Sequence, residues 1–230
     1  MRERIKRSNE PYQDSYSPNG IIGEKDACGV GFIANIDGKE SNWILKQSLK
    51  GLNCMEHRGG CGGDSDSGDG AGILCSIPWT FLERELNLNT QISKDRGLGM
   101  IFMPNNESKV KESKLICDEE AKKLNFKETF WRNVPTKNEK LGLLAKANAP
   151  YISQWIVCLE KDDNRETEML LFQLRKRIEK RIRDSFKNAV GECEFYFASL
   201  SSKTVVYKGM VRSEVLSEFY EDLRKEDFKV

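Results

Sequence analysis

The chain has 230 residues, of which 37 are Lys or Arg and 36 are Asp or Glu, so its net charge is +1. This balance argues against a general nucleic-acid-binding protein, which needs a basic excess to displace counterions from phosphates. No stretch approaches the roughly 18 apolar residues of a membrane span, and no apolar run follows the basic start, so we expect no membrane partner and no secretory signal.

The first quarter of the sequence predicts a leader, a strand and a helix. Residues 1–27 predict a flexible leader, because prolines and glycines interrupt a polar stretch without apolar periodicity. Residues 28–36 (CGVGFIANI) form a short apolar run that predicts a buried strand. Residues 41–57 predict a helix, with Ser41 as the N-cap and leucines along one face.

The remainder alternates between strands and helices after a glycine-rich loop at residues 59–72. Strands are predicted over residues 73–77, 97–103, 151–159, 194–200 and 203–210, the last two as a hairpin through Ser201 and Ser202. Helices are predicted over residues 78–86, 107–124, 165–186 and 213–224. The clearest helix is 165–186, because its apolar residues recur at helical spacing among many charges. This inventory indicates an α/β or α+β protein.

Metal and phosphate sites in the glycine-rich region fail on spacing. Cys54, His57, Cys61 and Cys75 could be written as zinc ligands, but they lack a CxxC knuckle. A calcium loop over residues 64–75 needs glycine at its sixth position, where Asp69 stands. The loop also lacks the Gly-Lys-Ser/Thr ending of a phosphate loop. We therefore predict no metal site and a tight turn in which glycines supply positive φ.

Cys28 is the most informative of the seven cysteines and allows two interpretations. Most cysteines in such a chain are reduced, buried small hydrophobes, and Cys28 could be one of them. The alternative is a nucleophile, which needs a base to form its thiolate near neutral pH. His57 is the single histidine of the chain. The other available base is the α-amino group of Cys28 itself, which titrates near pH 8 and is freed by cleavage after Ala27.

Five segments together resemble one known family. They are residues 26–34 (DACGVGFIA), 55–61 (MEHRGGC), 66–73 (DSGDGAGI), 131–135 (WRNVP) and 199–210 (SLSSKTVVYKGM). In this order they resemble the N-terminal class II glutamine amidotransferase domain of glutamate synthases, most closely those of the ferredoxin-dependent type. The resemblance extends over nearly the whole chain from Cys28 onward.

The resemblance implies a fold, a domain boundary and a nucleophile. The fold would be the α+β N-terminal-nucleophile hydrolase fold, a four-layer αββα sandwich that is incomplete at its C-terminus here. Residues 1–27 would be a leader or propeptide, and residues 28–230 the N-terminal part of the amidotransferase domain. Cys28 would attack the side-chain amide of glutamine, release ammonia and form a glutamyl thioester that water then hydrolyses.

The resemblance also assigns other residues and partners. Arg58 would lie close to the nucleophile and bind substrate, although a cation that complements the helix dipole is an equally open interpretation. His57 and residues 69–72 are expected to be structural. No cofactor is expected within this chain. FMN, an iron–sulfur cluster, ferredoxin and 2-oxoglutarate would belong to later domains, in the cytoplasm or in the plastid stroma of a photosynthetic eukaryote.

The chain departs from the family's pattern at its C-terminal end. It lacks the Arg-Phe-Ser-Thr-Asn-Thr and His-Asn-Gly-Glu motifs, which in the family grip the glutamine carboxylate and form the oxyanion hole. Each missing oxyanion donor typically costs about 3 kcal/mol of transition-state stabilisation. We therefore expect no glutaminase activity from residues 1–230 alone. The alternative function is a catalytically incomplete fragment that acts only as a scaffold or binding module.

Overall fold

The computed structural model describes residues 29–55, 67–68, 70–88, 93–159, 167–186 and 195–230. The strands are β1 Ala71–Ser76, β2 Arg96–Met103, β3 Phe126–Asn133, β4 Tyr151–Leu159, β5 Tyr196–Ser201 and β6 Thr204–Gly209. The α-helices are α1 Asn42–Cys54, α2 Trp79–Glu85, α3 Glu107–Lys123, α4 Leu143–Ala147, α5 Thr167–Ser185 and α6 Leu216–Phe219. Short 3₁₀ turns occupy Asn138–Lys140, Ser213–Val215 and Glu221–Arg224.

The strands form two antiparallel sheets. The larger has the order β3-β4-β2-β5, and the smaller pairs β1 with β6. In the larger sheet Leu98 lies opposite Ile156, and a bulge between Met100 and Ile101 shifts the register of β2 against β5. Alternate residues of a strand point to opposite faces of its sheet. Because nearly every residue of β2 is buried, both faces of the larger sheet are covered at this strand.

Each face of the larger sheet carries its own core. On one face, α3 and α5 pack against a cluster centred on Trp155, through buried residues such as Cys117 and Leu174. On the other face, Met100 and its neighbours pack against the smaller sheet through residues such as Tyr207. The larger sheet is thus sandwiched between a helical layer and a layer that contains β1 and β6.

Most of the predicted elements are confirmed. The strands predicted over residues 73–77, 97–103 and 151–159 match β1, β2 and β4 within two residues, and helices 107–124 and 165–186 match α3 and α5 over their described residues. Ser41 is the N-cap of α1, since its Oγ accepts a hydrogen bond from the backbone N–H of Ile44 at 3.3 Å. In α5 the predicted stripe Leu171, Leu174, Ile178 and Ile182 is buried.

The prediction of a buried strand over residues 28–36 is wrong for its described part, residues 29–36. These residues belong to no helix or strand and are exposed, Val30 and Phe32 at 90% and 93% and Ile36 fully. A strand is stabilised by a neighbour that satisfies its backbone N–H and C=O groups. Among the described residues, none of the six strands pairs with this segment.

The predicted hairpin between β5 and β6 is also wrong. The two strands follow each other closely, but β5 pairs with β2 and β6 pairs with β1. The carboxylate of Glu168 holds the connecting residues by accepting hydrogen bonds from the hydroxyls of Ser201 and Ser202 at 2.9 and 2.7 Å. The chain therefore crosses from one sheet to the other at this point.

The helix predicted over residues 213–224 is broken into three short pieces. The break lies at Tyr220, whose backbone is extended, with φ −92° and ψ 105°. Tyr220 forms an isolated antiparallel bridge with Thr136, and the N–H of Glu221 donates to the carbonyl of Pro135 at 3.2 Å. Pairing with a distant segment thus replaces the intrahelical bonds that the local pattern favours.

The last residues of the chain are fixed against three other elements. The backbone N–H of Ser41 donates to the carbonyl of Val230 at 2.9 Å, and the Asn42 side chain donates to the carbonyls of Lys225 and Phe228 at 3.0 and 2.9 Å. Phe228 is fully buried, with its ring centroid 5.2 Å from that of Phe81 in α2. The Phe228 ring centroid also lies 5.7 Å from that of Tyr207 in β6, so the C-terminal segment ties α1 and α2 to β6.

Candidate active site

The residues predicted to carry the chemistry lie outside the described residues, but Gly29 and Met55, which are near them in the sequence, are described. The former are Cys28, His57 and Arg58. Gly29 follows Cys28 and Met55 precedes Arg58 by three residues, and these two described residues touch. A Cβ added at Gly29 would lie 3.0 Å from both the Cβ and the Sδ of Met55. The fold therefore brings the residue that follows the candidate nucleophile into contact with a residue three positions before the candidate substrate-binding arginine.

The backbone of Met55 is held in place because this residue is the C-cap of α1. Its backbone N–H donates to the carbonyl of Leu52 at 3.0 Å, and its φ of −93° and ψ of 0° continue the helical turn. Leu45 of the same helix is fully buried in the core beneath the smaller sheet. The hydrogen-bonded pair between Ser41 and Val230 fixes the other end. The C-terminal end of α1 is thus anchored to the rest of the fold, and its cap residue contacts Gly29.

This contact was not predicted from the sequence, although a signal for it exists. Glycines alternate at positions 29 and 31 within an otherwise apolar run. A Cβ added at Gly31 would lie 4.0 Å from the Cε of Met55, so both glycines face the same side chain. Two glycines spaced by two residues leave one side of an extended chain bare, which permits such an approach.

The turn predicted for the glycine-rich segment lies largely outside the described residues, but Gly70 has the positive φ that the prediction assigned to its glycines. Gly70 has a φ of +138°, a backbone conformation that side-chain-bearing residues rarely adopt, and β1 begins at the next residue. The hydroxyl of Ser67 accepts a hydrogen bond from the backbone N–H of Ala145 at 3.2 Å, which ties the turn to α4. Asp69 of the same motif lies outside the described residues.

Three of the described cysteines are poor nucleophiles because they are buried. Burial raises the pKa of the Cys75 thiol to about 12 and that of the Cys117 thiol well above its ordinary value. Burial likewise raises the pKa of Cys158 to about 12, although Arg96 opposes the shift. These thiols stay protonated at neutral pH, in agreement with the prediction of buried structural cysteines. Cys54, at the end of α1, is exposed.

Neither a metal cluster nor a membrane span is found in the part of the chain that the structure describes. No three His, Cys, Asp or Glu side chains there are grouped to hold a metal ion. His57 and Cys61 of the rejected zinc set lie outside that part. None of the helices in the described ranges is both long and apolar enough to cross a bilayer.

A cavity of about 630 Å³ opens between the two sheets beside α4. Its described lining is largely apolar and includes Phe102, Ile152, Val206 and Phe219, with Lys208 as the charged side chain. Glutamine carries an ammonium and a carboxylate group, and both need charged or hydrogen-bonding partners when they are removed from water. Lys208 and Asn148 of the lining could bind the carboxylate, but the described lining has no acidic side chain for the ammonium group. We place the candidate site at the contact between Gly29 and Met55, because these residues adjoin the candidate residues in the sequence.

Comparison with protein families shows which family the chain belongs to. The model of the class-II glutamine amidotransferases matches residues 28–230, so the match begins at Cys28. The chain belongs to this family. Membership confirms the predicted N-terminal-nucleophile hydrolase fold, and the mixture of helices with antiparallel sheets agrees with the predicted α+β class.

Individual relatives of this amidotransferase domain agree with the resemblance seen in the sequence. The chain is 40% identical over 230 residues to the chloroplastic ferredoxin-dependent glutamate synthase of Oryza sativa subsp. japonica, covering 98% of the chain and 14% of the rice protein. It is 44% identical over 219 residues to the ferredoxin-dependent glutamate synthase of Pyropia yezoensis, covering 94% and 14%. For ferredoxin-dependent glutamate synthase 2 of Synechocystis sp., identity is 39% over 221 residues, covering 94% and 13%. The chain therefore spans about one seventh of the length of these relatives.

Proposed function

We propose that this chain is the glutaminase part of a ferredoxin-dependent glutamate synthase and that Cys28 is its nucleophile. The observation that carries the proposal is that the family match begins at Cys28. The high pKa values of the Cys75 and Cys158 thiols support it, because burial disqualifies these residues as alternative nucleophiles. Removal of residues 1–27 would free the α-amino group of Cys28 to act as the base.

The proposed reaction proceeds through a thioester. The α-amino group accepts the thiol proton, and Sγ bonds to the amide carbon of glutamine. The C–N bond then breaks, and the nitrogen leaves as ammonia after taking up that proton. Water hydrolyses the thioester to glutamate and restores the thiol. Arg58, three residues beyond Met55 in the sequence, would bind the substrate.

The fate of the ammonia depends on the rest of the synthase. We propose that ammonia aminates 2-oxoglutarate in later domains, with ferredoxin as the electron donor named in the relatives. FMN and an iron–sulfur cluster would serve that step. We propose that both cofactors bind in those later domains, and no step of the glutaminase reaction is routed through them. Within the described residues, no group of His, Cys, Asp or Glu side chains is placed to hold a metal ion. Several plant relatives are named as chloroplastic, which supports a plastid location if the chain comes from a photosynthetic eukaryote. For a bacterial source we propose the cytoplasm.

The test compares two nitrogen donors in the complete synthase that contains this chain. Cys28→Ala is expected to abolish glutamine-dependent glutamate formation and to leave the reaction with high ammonia intact, because only the nitrogen source is lost. Cys54→Ala, which removes an exposed thiol, is the matched control and should keep both activities. Retention of glutamine-dependent turnover in Cys28→Ala would overturn the proposal. A scaffold or binding role is the outcome if wild-type protein uses ammonia but never glutamine.

A further inference from the structure

The side chain of Met55 lies close to Gly29, the residue that follows the candidate nucleophile. A Cβ added at Gly29 would lie 3.0 Å from the Cβ and the Sδ of Met55 and 3.3 Å from its Cγ. Carbon atoms in favourable contact are about 3.5–4.0 Å apart, so the methionine occupies space that any larger residue at position 29 would need. The half-buried thioether therefore lies directly against the backbone of Gly29.

The side chains of the segment after Cys28 do not anchor it to the core. Val30 and Phe32 are 90% and 93% exposed, so their packing contributes little to the position of the backbone. The packing that holds this backbone in place comes instead from the contact of Met55 with Gly29 and from its looser contact with Gly31. Methionine suits this purpose because its flexible, polarisable thioether fills irregular space against a bare backbone.

We infer that Met55 is a positioning residue that seats the backbone next to Cys28 on the end of α1. The inference rests on the proposed role of Cys28 as the nucleophile. Displacement of a nucleophile by about 1 Å is enough to cost a hundredfold in rate, so a contact one residue away influences turnover without touching substrate. Gly29 has the complementary role, because its lack of a Cβ lets the thioether approach.

The test uses the complete synthase and measures kcat and KM with glutamine beside the rate with ammonia. Met55→Ala is expected to lower kcat with glutamine about tenfold, with KM for glutamine and the ammonia rate nearly unchanged. Met55→Leu, which keeps the bulk, should recover most of that loss, and Gly29→Ala should reproduce it by forcing the segment away. Met169→Ala is the matched control, because Met169 lies on α5 and is 51% exposed.

A second measurement separates positioning from stability. The rate at which a glutamine-mimicking chloroketone alkylates Cys28 should fall in Met55→Ala by a factor similar to the fall in kcat, at unchanged thermal midpoint. The inference is overturned if Met55→Ala keeps full kcat and alkylation while Cys28→Ala is inactive, and the proposed function then stands. It is also overturned if both nitrogen sources and the thermal midpoint decline together. An active Cys28→Ala instead refutes the proposed function on which the inference rests.

Discussion

Arg132 and Asp222 form a bidentate ion pair inside the protein, in which the two terminal guanidinium nitrogens, Nη1 and Nη2, each lie 2.7 Å from a carboxylate oxygen. The two residues are 7% and 0% exposed and stand 90 positions apart in the sequence. Arg132 also donates to Gln154 at 2.8 Å and to Glu85 at 3.0 Å, while the Tyr207 hydroxyl donates to Asp222 at 3.1 Å. This network joins β3, β4, α2, β6 and the turn at Glu221–Arg224, and so cross-links the two sheets.

Removal of Asp222 is expected to destabilise the fold strongly. In Asp222→Asn the guanidinium of Arg132 would stay buried without a counter-charge from that turn, and such broken buried pairs typically cost about 3–5 kcal/mol. Chemical unfolding followed by tryptophan fluorescence measures the change. Lys46→Ala is the control, because its pair with Glu226 is 49% and 79% exposed and should contribute less than about 1 kcal/mol. Equal losses in the two variants would contradict the assigned importance of the buried pair.

Acid is expected to weaken the same network through Glu85. Burial acts to raise the pKa of Glu85, but hydrogen bonds from Lys225, Arg132 and Arg84 outweigh it and lower the pKa from 4.5 to about 2. A carboxyl group whose pKa is depressed by folding stabilises the native state above its unfolded pKa, and this stabilisation is lost as the pH falls. The free energy of unfolding should therefore decrease as the pH is lowered from 4.5 to about 2.

The matching variant isolates the share of Glu85 in that decline. Glu85→Gln removes the titrating group, so urea unfolding at pH 5 and pH 3 should show a smaller difference than in the wild type. Glu120, Glu168 and Glu179 also have lowered pKa values and will keep part of the slope. An unchanged difference between the two pH values would show that Glu85 does not contribute.

The C-terminal segment should be sensitive to truncation of its buried aromatic ring. Phe228 is fully buried against Phe81 and Tyr207, with ring centroids 5.2 and 5.7 Å away. Phe228→Ala is expected to cost about 3–5 kcal/mol, since such changes lose transfer free energy and leave a cavity. Phe172→Ala, on the exposed side of α5 with 56% exposure, should stay within about 0.5 kcal/mol. Thermal unfolding of both variants checks this, and similar midpoints would refute it.

The proposed base predicts the N-terminus of the active enzyme. Because the proposed base is the free α-amino group of Cys28, residues 1–27 should be absent from active synthase. Intact-mass measurement or N-terminal sequencing of purified, glutamine-active protein decides the matter. The finding of Met1 or Arg2 at the N-terminus of fully active protein would exclude this mechanism, whatever the effect of Cys28→Ala.

Local patterns in the sequence were enough to define several elements and the family. The helical spacing of Leu171, Leu174, Ile178 and Ile182 predicted both α5 and its buried face, and Ser41 was predicted as the cap of α1. Each of these features depends on residues within a few positions of one another, which is why spacing alone reveals them. The motif order likewise identified the amidotransferase family, and with it the candidate residues Cys28 and Arg58.

Tertiary structure decided the features that depend on distant residues. The charged composition of Phe126–Asn133 hid strand β3, which becomes a strand because it pairs with β4. Tyr220 breaks a predicted helix because Thr136 pairs with it, and residues 29–36 form no strand in the absence of a described partner. The pair of Arg132 with Asp222 and the contact of Met55 with Gly29 depend in the same way on partners that local spacing cannot specify. Backbone pairing and burial depend on residues from the whole fold. Where they conflict with the local secondary-structure preference of a segment, pairing and burial decide its conformation.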